Sequence, residues 1–286
     1  MKFGLFKEYG ALNSRPVFSA FEKSLLAAGH KVSHQDMGAD VAVIWSVLWH
    51  GRMAGNKSVW DTYRKTGRPV VVLEVGGIRR NHTWKVNVNG INRAALYQPQ
   101  GNGPERARQL GLSLKPWRTK GEHILLCGQH ERSLQWEGMP RMSKWFLQTY
   151  EDIRAFTDRP IIFRPHPRSP LEHIERGLVN VYRQTPVRLA GTYDDFDLTF
   201  KRAWASVSWS GNTGVHSVME GVPAITGPHS LAHTVSETCL SQIEDPAQPN
   251  RTQWLNDLAW TEFTLDEIAE GLPLNLLTPT LAHAII

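Results

Sequence analysis

Residues 164–168 (RPHPR) bring two guanidinium groups, an imidazole and two prolines together, directly after the apolar run 161–163. In open α/β sheets, ligands bind beyond the carboxyl ends of the strands, so the segment lies where a site is expected. Proline holds the backbone of such a turn, and Arg164, His166 and Arg168 could donate hydrogen bonds to phosphate oxygens. The segment predicts a phosphate-binding turn. The alternative is a Pro-rich turn whose arginines pair with surface acids.

Residues 208–214 (SWSGNTG) form a second candidate, between the apolar run 205–209 and a helix-like segment, 214–219. Small residues at a strand-to-helix turn let backbone amides and the positive end of the helix dipole face an anion. Ser210 or Asn212 could instead serve only as the helix N-cap. Because both candidate segments occur in the same half of the chain in strand–helix order, phosphate binding is the preferred interpretation.

Strands and helices alternate along the chain, and the strands are continuously apolar, which is typical of parallel α/β sheets covered on both faces. The sequence therefore predicts an α/β protein with two Rossmann-like domains, 1–118 and 119–264, joined by a linker within 99–121. The placement of the tail, 265–286, stays open. The predicted strands are 2–6, 31–34, 41–46, 70–75, 123–127, 161–163, 205–209 and 222–226, and the predicted helices are 17–28, 57–66, 142–156, 195–203 and 214–219.

Charge differs between the two predicted domains. Residues 1–118 hold 18 Lys and Arg against 7 Asp and Glu, a net charge of +11, whereas the remaining residues hold 14 against 20, a net charge of −6. Such a field would attract a polyanion to the first domain, although a solvated basic face is the alternative.

The composition excludes several classes of protein. With 286 residues, 41% of them hydrophobic, the chain is globular rather than disordered or fibrous. No apolar run reaches the roughly 20 residues of a membrane span, and the first residues do not form a signal-peptide core, so we expect a cytoplasmic protein. Two cysteines make neither a disulfide framework nor a zinc site. Oligomeric state is left open.

An RPHP turn followed by a strand, the SGNTG turn, a helix and 220–227 (EGVPAITG) resembles the nucleotide-binding half of GT-B glycosyltransferases. It is similar in particular to the capsule-polysaccharide and glycerophosphotransferase branch. This resemblance covers about 100 residues; the front half is similar only in architecture. A basic two-domain chain of this size also resembles bacteriophage DNA glycosyltransferases that modify hydroxymethylated pyrimidines, although no diagnostic acceptor motif accompanies it.

The resemblance implies a nucleotide-sugar donor, UDP-linked, no other cofactor, and an active site in the cleft between the domains. Carried over, Arg164, His166 and Arg168 would hold the donor diphosphate, and Glu220 would bond the ribose hydroxyls. The backbone amides that would bind the diphosphate belong to Ser210, Gly211, Asn212, Thr213 and Gly214.

GT-B enzymes generally work without a metal, so none is expected. Asp195 and Asp197 match the D-x-D motif of metal-dependent GT-A enzymes. However, a helix is predicted to begin there, and acidic residues are common in the first turn of a helix because they interact favourably with its dipole.

The GT-B layout implies that an acid–base residue, needed if the reaction inverts, lies in the front domain. Glu74, at the end of the strand 70–75 and before two glycines, is the first candidate. Glu8 is the second and His50 the third. Each carboxylate could simply pair with an arginine, and a lone histidine is often structural.

The main functional prediction is sugar transfer to a hydroxymethylated pyrimidine in double-stranded DNA. The cations expected to bind DNA phosphates are Arg52, Lys57, Arg79, Arg80 and Lys85. Trp49, Trp60 and Trp84 lie among them and could stack on bases or belong to the core. The alternative is a glycosyltransferase or glycerophosphotransferase of surface or capsular polymer synthesis. A non-catalytic DNA-binding module is a third, less supported interpretation.

Overall fold

The computed structural model describes residues 1–192 and 195–284. The chain forms two compact units. Unit 1 contains Met1–Asn102, Arg132–Gln135 and the chain from Asp257 onward, and unit 2 contains Gly103–Glu131 and Trp136–Asn256. Each unit is built around one five-stranded sheet.

The sheet of unit 1 has the order β2-β1-β3-β4-β5. Strands β1 to β4 are parallel, and β5 runs antiparallel to β4. The sequence predicted the four parallel strands but missed β5, whose WKVNV sequence carries two polar residues, Lys85 and Asn87. The strands are β1 (Lys2–Leu5), β2 (Lys31–His34), β3 (Val41–Trp45), β4 (Val70–Val75) and β5 (Trp84–Val88).

Apolar residues cover both faces of this sheet, as continuous strands such as VAVIW require. One core contains Phe18, Phe21 and Leu25 of helix α1 (Arg15–Ala27). The opposite core contains Val59, Trp60 and Tyr63 of helix α2 (Asn56–Lys65).

Sheet 2, in unit 2, is parallel throughout, with the order β10-β9-β6-β7-β8. Its strands are β6 (His123–Cys127), β7 (Ile161–Arg164), β8 (Val181–Arg183), β9 (Ala203–Ser208) and β10 (Ala224–Thr226). Helices α3 (Glu105–Gln109), α4 (Met142–Arg154) and α5 (Asn212–Met219) belong to this unit.

The predicted helix at 195–203 is wrong. Residues 195–200 are extended, with a bridge between Arg188 and Phe196. Apolar Phe196, Leu198 and Phe200 alternate with polar residues, which is the period of a strand, and Phe200 packs into a core of unit 2. Asp195 and Asp197 therefore lie in an extended segment rather than in a first helical turn.

The C-terminal segment follows α6 (Thr252–Leu258) and forms α7 (Leu265–Ala269) and α8 (Leu272–Ala284). Ile268, Leu277 and Leu281 pack into the core that also contains α1. The tail, whose placement the sequence left open, thus completes unit 1 through its apolar face.

Residues 103–118 belong to unit 2, although the sequence assigned them to the first domain. The Lys115 amide donates to the Met219 carbonyl at 2.9 Å. The Arg251 guanidinium lies 3.6 Å from the centre of the Trp117 ring and donates to the Lys115 carbonyl at 2.7 Å. These contacts attach the segment to unit 2. Among the helices in the described ranges, none is long and apolar enough to cross a membrane.

Candidate functional site

The carboxyl edge of sheet 2 brings together the segments that follow β6, β7 and β9. Since these strands are parallel neighbours, the residues after each strand meet at one edge. Residues 128–130 follow β6, residues 165–168 follow β7, and residues 209–214 follow β9. Both segments predicted to bind phosphate therefore lie at this edge.

Arg164 ends β7 and is buried. Its Nε and Nη2 donate to the Gln184 side-chain oxygen at 3.0 and 2.7 Å, and Nη2 also donates to the Thr199 carbonyl. Nη1 is buried without a hydrogen-bond partner. Two of the three guanidinium nitrogens thus bond to Gln184 and Thr199, and only Nη1 is left to donate to a ligand.

His166 lies beside a second histidine that the sequence analysis missed. The His130 and His166 rings are 5.6 Å apart and perpendicular. The Arg168 amide donates to His166 Nδ1 at 3.2 Å, which places the proton of a neutral imidazole on Nε2. His166 can therefore present a hydrogen-bond donor, and the Arg168 side chain is exposed.

Gln129, which lies after β6, contacts the candidate segment 208–214. Its Oε1 accepts hydrogen bonds from the Ser210 amide at 3.0 Å and the Ser210 hydroxyl at 3.1 Å. Sequence reasoning missed Gln129 and His130, although both directly follow a predicted strand, which is the position where ligands of such sheets bind.

Helix α5 begins without a side-chain cap. Gly211 is its N-cap residue and has no side chain that could accept a hydrogen bond from the first turn. Ser210 precedes this position and Asn212 is the first helical residue, so neither is the N-cap residue, which was the alternative to phosphate binding. A helix of this kind presents first-turn amides and a positive dipole end to an anion.

Gly214 is required by packing inside the unit. A Cβ at this position would lie 2.9 Å from Thr226 Cγ2 and 3.2 Å from Ser208 Oγ. The Gly214 amide bonds back to the Gly211 carbonyl at 3.3 Å. Thr213 bonds the Cys127 thiol, whose pKa burial raises to about 11, so the thiol stays neutral.

Glu220 lies at the other end of α5 from this edge, and its predicted ribose contact stays a prediction. Glu220 follows the last residue of α5, and eight helical residues span about 12 Å. Its carboxylate pairs with Lys115 at 2.6 Å.

In unit 1, Glu74 lies near the end of β4, opposite Lys85 of β5 in the register of the sheet. Burial raises the pKa of Glu74, against the opposing effects of a Ser46 hydrogen bond and the charges of Lys85 and Arg80. Its Oε1 accepts from the Val75 amide at 2.8 Å. A carboxyl with a raised pKa is suited to proton transfer nearer neutrality.

The other two acid–base candidates are exposed. Glu8 lies in a 3-10 helix, Lys7–Tyr9, and its Oε2 accepts from the Gln35 side-chain amide at 3.5 Å. His50 Nδ1 lies 3.1 Å from Arg132 Nη1. Neither has the buried environment that raises the pKa of Glu74.

Lys85 cannot contact DNA phosphates as predicted, because it is buried and its Nζ donates to Asn92 Oδ1. Lys57 is exposed and pairs with Asp61 at 2.6 Å, whereas Arg52 and Arg79 are exposed and Arg80 is partly buried.

The three tryptophans of the basic segment pack against the cores of unit 1. Trp60 is 9% exposed and its ring lies 6.0 Å from that of Trp49, and Trp84 packs on the core beside α1. The core interpretation thus accounts for all three.

Within the described ranges, no group of three or more His, Cys, Asp or Glu side chains has the arrangement of a metal site. The expectation of a metal-free protein stays a prediction.

No protein-family model matches the sequence, and no curated protein matches it. Among solved structures, the chain is similar to Thermosulfurimonas dismutans KpsC, beta Kdo 2,4 transferase, with a TM-score of 0.55 and 13% identity over 100% of this chain and 98% of that chain. It is also similar to the KpsC beta Kdo 2,7 transferase of the same organism, with a TM-score of 0.52 and 14% identity over 96% of this chain and 100% of that chain. At this identity the likeness concerns the fold alone, and it agrees with the predicted α/β architecture of two units, each with its own sheet.

Proposed function

We propose that the chain is a nucleotide-sugar-dependent glycosyltransferase that acts on a surface glycan. The observation that carries the proposal is the convergence of His166, the Gln129–Ser210 pair and the glycine-capped start of α5 at one edge of sheet 2. Donor groups, a helix dipole and the carboxyl edge of a parallel sheet together favour a phosphate ligand.

The donor phosphates would lie against the first turn of α5. His166 would donate from Nε2 and Arg168 would supply positive charge. As the bond between the sugar and the leaving phosphate oxygen breaks, negative charge grows on that oxygen, and fixed donors stabilise it without reorganisation. Of the predicted arginines, Arg168 is the better candidate for direct contact, because Arg164 is mostly engaged with Gln184 and Thr199.

For an inverting transfer, Glu74 is the residue we propose as the base. The acceptor oxygen would bond to the anomeric carbon while its proton passes to the Glu74 carboxylate. The raised pKa of Glu74 supports this choice over Glu8 and His50, which are both exposed.

A surface glycan is favoured over DNA as the acceptor. The two solved structures that share the fold are described as Kdo transferases, which are sugar transferases. The DNA interpretation depends on a set of five cations, of which Lys85 is buried and Lys57 is paired.

The test is incubation of the protein with a panel of nucleotide sugars and either acidic oligosaccharides or hydroxymethylated duplex DNA, followed by mass spectrometry. A mass increase of one sugar on an oligosaccharide would support the proposal. Transfer of a sugar to DNA nucleosides would show that the acceptor is DNA rather than a glycan and would still support the glycosyltransferase reaction. Absence of transfer and of nucleoside-diphosphate binding by calorimetry would reject both.

A further inference from the structure

Glu262 is a fully buried carboxylate in unit 1, contributed by the C-terminal segment. It accepts hydrogen bonds from the Gly77 amide at 2.6 Å, the Ile78 amide at 3.1 Å and the Thr83 hydroxyl at 2.6 Å. These donors all belong to the loop that joins β4 to β5. A carboxylate from nearly 180 residues further along the chain thus occupies the centre of this loop.

The loop is closed around that carboxylate. The Gly76 amide donates to the Thr83 carbonyl at 3.0 Å. A Cβ at Gly76 would lie 2.1 Å from the Thr83 carbonyl oxygen and 2.5 Å from Glu262 Oε2, so only glycine fits there. Successive amides that point at one anion form a nest, and here the anion is a side chain of the protein itself.

The next residue of the chain holds Glu262 in place. Phe263 exchanges two backbone hydrogen bonds with Trp84, both 2.8 Å, and so extends the pairing of β5. The Phe263 side chain is buried in the core that contains α1. The carboxylate is therefore supplied from a fixed backbone.

The charged residues Lys85 and Glu262 link this loop to Glu74. Lys85 lies beside Glu74 in the register of β4 and β5, and the charges of both Glu262 and Glu74 act on its ammonium group. Glu74 itself lies two residues before Gly76. The position of the Glu74 carboxyl thus depends on the loop that follows it and on the cation beside it.

We propose that Glu262 is a positioning residue for the reaction: its carboxylate holds the loop 76–83, and thereby the end of β4 and the Glu74 side chain, in the geometry that proton transfer needs. This inference rests on the proposed function for the part that concerns turnover. The structural part, that Glu262 holds the loop, does not depend on it.

The test compares Glu262→Ala, Glu262→Gln and the control Glu270→Ala, an exposed glutamate of the same segment. Alanine removes the acceptor of two amides and a hydroxyl. Glutamine has a similar shape: its oxygen can accept from the amides while its NH2 group donates to Thr83, so it should restore the loop. Hydrogen–deuterium exchange of peptides covering 76–83 measures the loop, with peptides covering β6 of unit 2 (123–127) as reference.

We expect Glu262→Ala to accelerate exchange in the loop by about tenfold or more, and to lower kcat by about tenfold or more with KM for the donor within about twofold. Turnover is measured with the nucleotide sugar that the wild-type protein uses. Glu262→Gln should stay within about threefold of wild type in both, and Glu270→Ala should change neither. If Glu262→Ala does not fold, Thr83→Val takes its place, with a smaller effect in the same direction.

Fast loop exchange with unchanged kcat would overturn the positioning role, and reduced kcat with unchanged loop exchange would overturn it as well. An equal loss in Glu262→Ala and Glu262→Gln would assign the effect to charge rather than to the loop and also reject the inference. If no nucleotide sugar is turned over by the wild-type protein, the proposed function fails, while the exchange measurement still decides whether Glu262 holds the loop.

Discussion

Replacement of Gln129 by alanine should loosen the turn before α5 and weaken donor binding. Gln129 Oε1 accepts from both the amide and the hydroxyl of Ser210, which is 1% exposed. The mutation removes the acceptor of both groups at once. The turn then loses its side-chain bonds to the residue after β6, and we expect the amides of the following helix turn to be held less firmly.

The magnitude follows from these two hydrogen bonds. Each neutral hydrogen bond contributes roughly 0.5–1.5 kcal/mol, so the free energy of unfolding should fall by about 1–3 kcal/mol. If the displaced turn forfeits one anion contact worth about 1.4 kcal/mol, the Kd for a nucleoside diphosphate should rise about tenfold. Ser210→Ala removes only the hydroxyl bond and should have a smaller effect.

Calorimetry with a nucleoside diphosphate and urea unfolding together measure the prediction. The control is Gln148→Ala, which removes an exposed glutamine of α4 whose side chain donates to Asp152 at 3.2 Å. This variant should leave both quantities unchanged. In the double variant, Ser210→Ala should add little to Gln129→Ala, because the hydroxyl bond is already lost. Wild-type stability and affinity in Gln129→Ala, or full additivity in the double variant, would refute the reasoning.

Three further predictions concern single residues. His166→Ala should raise the Kd for a nucleoside diphosphate by about tenfold or more, since a hydrogen bond to a charged group contributes roughly 1.5–3 kcal/mol, and calorimetry on the folded variant measures it. Glu74→Gln should keep donor affinity, which calorimetry measures, and lower kcat by about 10²–10⁴. Because burial raises the pKa of Glu74, wild-type turnover should rise with pH through a value above 4.5, which a pH–rate profile measures. Although burial opposes it, hydrogen bonds from Arg183 and His173 lower the pKa of Glu175 from 4.5 to about 2, so the stabilisation is complete above pH 4.5 and is lost as pH falls toward 2. Solvent screens the pair with His173, whose side chain is exposed. We therefore expect Glu175→Gln to lower the free energy of unfolding by about 1–2 kcal/mol at pH 7 and by less at pH 3, as measured by urea unfolding.

Continuous apolar strands such as VVVLEV have only one stable environment, a sheet covered on both faces, and this local property made the α/β class and four strands of unit 1 predictable. Strand β5 was missed because two of its five residues are polar and its burial comes from pairing with β4 and with Phe263, which is remote in sequence. The helix predicted at 195–203 failed because acids suggested a helix start while the alternation of Phe196, Leu198 and Phe200 indicated an extended segment.

The residues of the candidate site likewise include some that the sequence predicted and some that it missed. The rule that ligands bind after parallel strands placed His166 and the SGNTG turn at one edge, and the same rule applied to β6 would have added Gln129 and His130. Glu220 was assigned by resemblance; it lies at the far end of α5, and its ribose contact stays a prediction. Composition could not show that Lys85 is buried, because a lysine looks the same in sequence whether it is exposed or enclosed.

The amino-acid sequence by itself therefore determined the strand–helix alternation, the two sheets and the turns that follow their strands, because each depends on residues close together in the chain. Only the tertiary structure decided which charges are buried and which groups hold them. Glu262 meets Gly77 across 185 positions, and Arg164 meets Gln184 across 20. The desolvation that raises the pKa of Glu74 and the hydrogen bonds that hold its loop arise from such contacts, which exist only after the chain has folded.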